Sequence, residues 1–336
     1  MSESKAWYIY RGTGKPHDGI DRLPPPPPWR PFDSAMVATS PLVNGTDKEA
    51  AAGTNYRPDD DIVELVNAAI YLRRPLLVTG RPGTGKSTLA AAIAHELRLG
   101  KVLRWNITSR VTRREGLYEY DALARLYAAS RRKDRSDRDE ARDEDLGQYI
   151  RLGPLGTALL PKDKPRVLLI DEIDKSDLDL PNELLTIFEE GEFEIPELMR
   201  QSERFPDARV NTYDSTERVT ITLGRVLCKQ FPIVVMTSNE EREFPPAFLR
   251  RCITVRIEQP GREKLEEIVS AHLPHLAPSS DDLIGKFLEA ARDPASLATD
   301  QLLNAIYLVN AAARAGNVNR LELAEKVMPA LVRHPA

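Results

Sequence analysis

The sequence predicts an α/β domain built on a parallel sheet, followed by a small all-helical domain. Three observations carry that prediction. RVLLID and PIVVMTS are continuous apolar runs, the pattern of strands covered on both faces. They alternate with segments whose apolar residues recur at helical spacing, as α/β folds require. After Gly261 the strand-like runs stop and only helical stripes follow.

Residues 1–56 read as a Pro-rich, flexible segment. LPPPPPWRPF holds five consecutive prolines, Pro24 to Pro28, which favour polyproline II and cannot enter a sheet interior. A tether is the plainer reading. A docking peptide, helped by Trp7, Tyr8, Tyr10 and Trp29, is the sharper one.

The α/β domain is expected over residues 57–258. DDDIVELVNAAIYL sets Ile62, Leu65, Val66 and Ile70 on one helical face with acids in its first turn. PLLVTG is a short strand between Pro75 and Gly80. The helix that follows carries Leu89, Ile93 and Leu97 four apart and is expected to close at Gly100. KVLRWN, RVLLID, PIVVMTS and CITVRI supply the remaining strands. A surplus at about 115–160 interrupts the pattern. It contains Ser130 to Asp145, with six basic and seven acidic residues, which reads as a solvated loop. It also contains the apolar stretch LGPLGTALL, expected to meet a partner. Residues 259–336 form the helical domain. Its stripes begin with Leu265, Ile268, Val269 and Leu273, then Leu283, Ile284, Phe287 and Leu288 behind a capping box from Ser279 to Asp282. Leu302, Leu303, Ile306 and Val309 make the third, and Leu323, Val327 and Leu331 the fourth.

Composition narrows the function. At 41% hydrophobic residues, the 336-residue chain supports a buried core, and a net charge of −4 gives no footprint for nucleic acid. No apolar run reaches the length of a membrane span. The N-terminus lacks the apolar core of a secretory signal. Two cysteines, Cys228 and Cys252, imply no disulfide framework, and a cytoplasmic protein is the expectation.

The chemistry-bearing motifs lie at strand ends. GRPGTGKST matches G-x-x-x-x-G-K-[ST] between a strand and a helix. Gly80, Arg81, Pro82, Gly83, Thr84, Gly85, Lys86, Ser87 and Thr88 would cradle nucleotide phosphates with backbone N–H groups and the helix N-terminus. Lys86 would reach the β/γ-phosphates and the Ser87 hydroxyl would ligate Mg²⁺. In VLLIDEID, Asp171 ends a buried strand and suits Mg²⁺, with Glu172 beside it to polarise water. VVMTSN ends another buried strand in Asn239, whose amide suits orienting that water. His272 and His275 in HLPH lack a partner ligand and read as surface groups.

With these motifs in place, the chain resembles an AAA+ ATPase of the MoxR-like, dynein-related branch over roughly Asp59 to Arg333. GRPGTGKST is similar to its Walker A, LLIDEIDK to its Walker B and TSN to its sensor 1; LPNELLTIFEEGEFEIPE resembles the helix and hairpin that follow. The resemblance implies a P-loop NTPase three-layer α/β/α fold with sheet order 5-1-4-3-2 and a helical lid. It also implies ATP and Mg²⁺ as cofactors and a homo-oligomer, a hexameric ring, acting on a separate effector or client protein. The family's arginine finger falls on Arg251 of PPAFLRRC, with Arg250 where an acid more often stands. PASLATDQLL carries no basic sensor 2, and Arg292 is the nearest cation. The surplus at 115–160 is similar to an enlarged helix-2 insertion. A GTP-using McrB-like translocase and a nucleotide-gated binding module in a defence or regulatory system are the alternatives.

Overall fold

The computed structural model describes residues 5–32, 42–133, 146–277, 280–290, 298–315 and 319–327. Ser279, Arg292, Leu331 and the charged stretch from residue 134 to 145 lie outside them.

Five parallel strands make the central sheet: β1 (Leu76–Thr79), β2 (Leu103–Asn106), β5 (Val167–Asp171), β10 (Ile233–Ser238) and β11 (Ile253–Arg256). Their order is β11-β1-β10-β5-β2, which is 5-1-4-3-2 when these five are counted along the chain. The register pairs Leu76 with Val235 and with Ile253, and Ile170 with Met236. Side chains alternate across the sheet, so its two faces feed two cores. Leu76, Val78, Leu169 and Val235 face α2 (Asp60–Leu72) and α3 (Lys86–Glu96), while Leu77, Leu168, Ile170 and Met236 face α7 (Leu180–Glu190). The fold is therefore the expected three-layer P-loop α/β/α arrangement.

Helix α3 ends earlier than expected. Arg98 takes a left-handed φ of 53° and Leu99 N–H bonds back to Ala94 at 2.9 Å, a Schellman closure that ends the helix at Glu96, four residues before Gly100. That closure leaves Glu96 on the last helical turn with its carboxylate buried.

Within the described residues, Glu96 corrects the flexible reading of residues 1–56. Its oxygens accept backbone N–H groups of Arg11 at 2.5 Å, Thr13 at 2.7 Å and Gly14 at 2.9 Å, a nest of amides around a buried anion. Asn67 of α2 bonds the Ile9 N–H at 2.7 Å and the Tyr10 carbonyl at 2.7 Å, and Tyr8, Ile9 and Tyr10 are buried with the α2–α3 core. The prolines remain on the surface, tied at Pro24 by Arg73, while Arg30 caps the Phe188 carbonyl. Helix α1 (Asp47–Asn55) then packs on α3, opened by a Thr46–Glu49 capping box.

The surplus after β2 is also more built-in than expected. It contributes α4 (Arg113–Leu117), β3 (Tyr118–Tyr120), α5 (Ala122–Lys133), β4 (Ile150–Leu152) and α6 (Pro154–Ala158). Strands β3 and β4 join β7 (Asp207–Asn211) and β8 (Arg218–Thr222) in a second sheet, order β3-β4-β7-β8. LGPLGTALL is core, with Leu155, Leu159 and Leu160 buried against the α7 side of the central sheet. The apolar face left to solvent is on α5, where Leu123, Leu126 and Tyr127 follow i, i+3, i+4 spacing. After α7, β6 (Glu192–Glu194) and β9 (Arg225–Leu227) close a small antiparallel hairpin around α8 (Pro196–Met199), β7 and β8.

Past α9 (Pro246–Leu249) and β11, the chain is helical: α10 (Arg262–His272), α11 (Asp281–Ala290), α12 (Thr299–Ala315) and α13 (Arg320–Val327) share a core of Leu265, Leu283, Phe287, Leu302 and Ile306. Cys228 and Cys252 are buried free thiols, as expected of core cysteines. Among the described residues no helix is long and apolar enough to cross a membrane.

Candidate nucleotide site

The loop after β1 is shaped by backbone demands that only glycine meets. Gly80 has φ 139° and a Cβ there would meet the Ile257 carbonyl oxygen at 2.2 Å; at Gly83, φ 76°, it would meet Ala298 at 2.1 Å. The loop thus lies close both to the chain leaving β11 and to the start of α12, whose Thr299 N–H bonds the Gly83 carbonyl at 3.2 Å. Gly85, also left-handed, sits at the N-terminus of α3, which directs that helix's unpaired N–H groups into the loop.

Lys86 is buried, and its ammonium donates to the carbonyls of Gly80 at 2.8 Å and Arg81 at 2.7 Å. Burial pushes its pKa below the ordinary lysine value, opposed by the charge of Asp174 first and Asp171 next. The Ser87 hydroxyl donates to Asp171 Oδ1 at 2.7 Å, so the loop and the end of β5 touch directly. Glu172 follows in a left-handed conformation (φ 61°). Its carboxylate accepts from Lys175 Nζ at 2.8 Å and faces the Asn239 amide, Nδ2 to Oε1 3.4 Å. The pair with Glu172 raises the exposed Lys175 above its ordinary value.

Two further side chains hold this arrangement, and sequence reading passed over both. Thr237, buried on β10, donates its hydroxyl to Asp171 Oδ1 at 2.6 Å and accepts the Glu172 N–H at 2.9 Å. Asp174, three residues past Asp171, accepts the backbone N–H of Asn239 at 2.8 Å and of Glu241 at 3.2 Å on one oxygen. The signal for Asp174 was a third acid in DEID, and for Thr237 a hydroxyl two residues before the amide in TSN.

Pro82 to Thr88, Asp171, Glu172, Thr237 and Asn239 line a cavity of about 500 Å³, large enough for a nucleotide. It is also lined by Tyr56 and Ile62 and by Lys264, Ile268 and His272 of α10. Lys264 of α10 pairs with Asp59, the residue before α2, at 2.8 Å. His272 is pushed below its ordinary value by burial and then by Arg57. Residues Gly80 to Thr88, Asp171, Glu172 and Asn239 are thus brought together. Arg251 is not with them. Its guanidinium pairs with Glu189 on α7, and it precedes β11 at the sheet edge where β1 begins, whereas the glycine loop follows the end of β1.

A glycine-rich loop opening a helix after a central parallel strand, facing a carboxylate at the end of β5, defines the P-loop NTPase class. Within that class, the family model of the AAA domain (dynein-related subfamily) matches residues 75–252, more than half of the chain, and the chain belongs to that family. No curated protein matches. Solved structures with distant likeness include C. elegans PCH-2, 14% identical over 90% of this chain and 76% of that one, TM-score 0.41. Another is a Thermotoga maritima RuvB mutant, 16% identical over 80% of this chain and 66% of that one, TM-score 0.40.

Proposed function

We propose that the protein binds and hydrolyses ATP as a ring-forming AAA+ ATPase of the MoxR-like branch and acts on a separate partner protein. The observation that carries the catalytic part is the direct meeting of Ser87 and Asp171 at 2.7 Å beside the buried Lys86. A hydroxyl and a carboxylate converging there form a hard oxygen donor set that suits Mg²⁺. The ion, held by Ser87 and Asp171, would supply neutralisation of the phosphate charge. The loop amides and Lys86 would bind and orient the phosphates, where catalysis is largely positioning and charge stabilisation. Glu172 would take a proton from the attacking water, and Asn239 would fix that water against it.

Arg251 would complete the site in trans. It stands beyond the start of β1, at least about 10 Å along the strand from its own loop. An arginine serving a γ-phosphate from there serves a neighbour's, in a head-to-tail ring whose rotation closes, which we take to be a hexamer. The partner part rests on α5, whose Leu123, Leu126 and Tyr127 form an apolar face exposed to solvent. Free, buried thiols accord with a reducing cytoplasm.

The test is phosphate release and nucleotide binding by the purified chain, with ATP and GTP in competition. Lys86→Ala should lose nucleotide binding, and Glu172→Gln should bind ATP without turnover. Turnover by Glu172→Gln equal to that of the unmodified protein removes Glu172 from the mechanism, and preference for GTP overturns the ATP assignment.

A further inference from the structure

We infer that Asp174 is a positioning residue for hydrolysis, clamping the turn that carries Asn239 so that its amide stays against Glu172. The inference rests on the ATPase reading and names a group that the reading does not need. Asp174 is 4% exposed, wedged between the ends of β5 and β10. One of its oxygens receives two backbone amides, Asn239 at 2.8 Å and Glu241 at 3.2 Å. Bonds to an ionised acceptor are roughly twice as strong as neutral ones, so this oxygen is the main restraint on the turn.

The turn needs a restraint. Glu240, between the two clamped amides, has φ 61°, a left-handed conformation disfavoured for a side-chain-bearing residue. Such a residue persists where its surroundings over-determine it. Here Asp174 holds both sides, and the Glu240 N–H also bonds Ser238 Oγ at 3.0 Å. Directly before the turn, Asn239 reaches Glu172 at 3.4 Å, a weak contact set by the backbone rather than by its own strength. Move the turn and that approach is lost.

A purely structural clamp would be better made by a neutral group. The second oxygen of Asp174 is buried and has no hydrogen-bond partner among the described residues. Leaving a carboxylate oxygen in that state is costly. An acid at this place is accounted for by the two amides that its other oxygen holds beside the water-orienting Asn239.

The experiment measures ATP turnover, nucleotide affinity and backbone amide exchange across Thr237–Glu241 in Asp174→Ala and Asp174→Asn. Asparagine keeps an acceptor oxygen for the two amides and loses the charge. Displacing a positioned group by about 1 Å costs up to about 10²-fold in rate. The expected result for Asp174→Ala is a fall in kcat of about 10- to 100-fold, nucleotide affinity within a few-fold, and faster exchange at Asn239 and Glu241. Asp174→Asn should recover exchange protection and part of kcat. In an Asn239→Ala background, Asp174→Ala should cost little more, because both act through one amide. An effect confined to affinity, or one fully additive with Asn239→Ala, overturns the inference. So does an unaltered kcat in Asp174→Ala while the unmodified protein hydrolyses ATP. If the unmodified protein hydrolyses no nucleotide, the functional reading itself falls and this inference falls with it.

Discussion

Replacing Glu96 by glutamine isolates what fixes the N-terminal segment to the helix that opens at the phosphate loop. The carboxylate accepts on both oxygens: Thr13 N–H, Gly14 N–H and the Thr13 hydroxyl on Oε2, and Arg11 N–H with His17 Nε2 at 3.2 Å on Oε1. Glutamine has one acceptor oxygen. Turned toward Thr13 and Gly14, it points its NH₂ at the Arg11 N–H, two donors face to face. At least one charge-assisted bond is lost, about 1.5–3 kcal/mol. Since about 1.4 kcal/mol is a factor of ten, the open population should rise roughly 10- to 100-fold. The assay is limited trypsin cleavage after Arg11 and Arg22. Under conditions where opening is fast compared with cutting, its rate follows the open fraction. Denaturant unfolding of the whole chain should lose about the same free energy while the closed form dominates, because the peeled and the unfolded chain have both given these bonds up to water. A cleavage rate within twofold of the unmodified protein would sink the argument. So would an unaltered global stability together with an unaltered cleavage rate.

Two other outcomes follow from the geometry. Arg251→Ala should bind ATP and lose about 10³–10⁵ in rate, the usual worth of an arginine finger. Mixing it with Glu172→Gln should restore some turnover, and a mixture as inactive as its parts, with subunits shown to exchange, counts against action in trans. The second concerns the thiols, both pushed up by burial to about 12 from near 9. Native protein at pH 8 should not react with a thiol reagent, and both should react on unfolding; one fast native thiol refutes this. The unfolded thiols ionise first, so this contribution to stability is intact below about pH 9 and is lost as pH climbs toward 12.

The five sheet strands were legible because each sits between two helical layers and so reads as an uninterrupted apolar run. The second sheet was not. Strands β3 and β4 are three residues each, too short to show alternation, and β4 reaches β7 through Arg151 and Asn211, far apart in sequence. LGPLGTALL was misread for a related reason: apolar content alone does not say whether its cover is the same chain or another. The N-terminal segment hid behind its prolines. Its ordered part depends on a carboxylate more than eighty positions away, and nothing local to RGTGK announces that partner. At the site, the phosphate loop and the DE pair were readable because their chemistry is contiguous in sequence. Thr237 and Asp174 act only through the register of β10 against β5, which no local pattern encodes.

The arginine pair shows the same limit, and magnitudes decide how to read it. Within one chain Arg251 is held by Glu189, while the Arg250 guanidinium is exposed with no partner among the described residues. Taken alone, that favours Arg250 as the group free to reach a neighbour. Yet the Arg251–Glu189 pair is 39% and 46% exposed. A pair so wet is worth about 0–1 kcal/mol. A finger that lowers the barrier by 10³–10⁵ contributes roughly 4–7 kcal/mol. Releasing Glu189 therefore costs a small fraction of what Arg251 would contribute at a neighbour's phosphate, and the pair is no obstacle to that role. Glu189→Gln separates the two arginines. If Arg251 acts, loosening its partner should leave turnover unchanged or raise it, and Arg250→Ala should cost far less than Arg251→Ala. If Arg250→Ala is the more damaging substitution, the exposed arginine is the finger and the Glu189 pair is a fixed part of the fold.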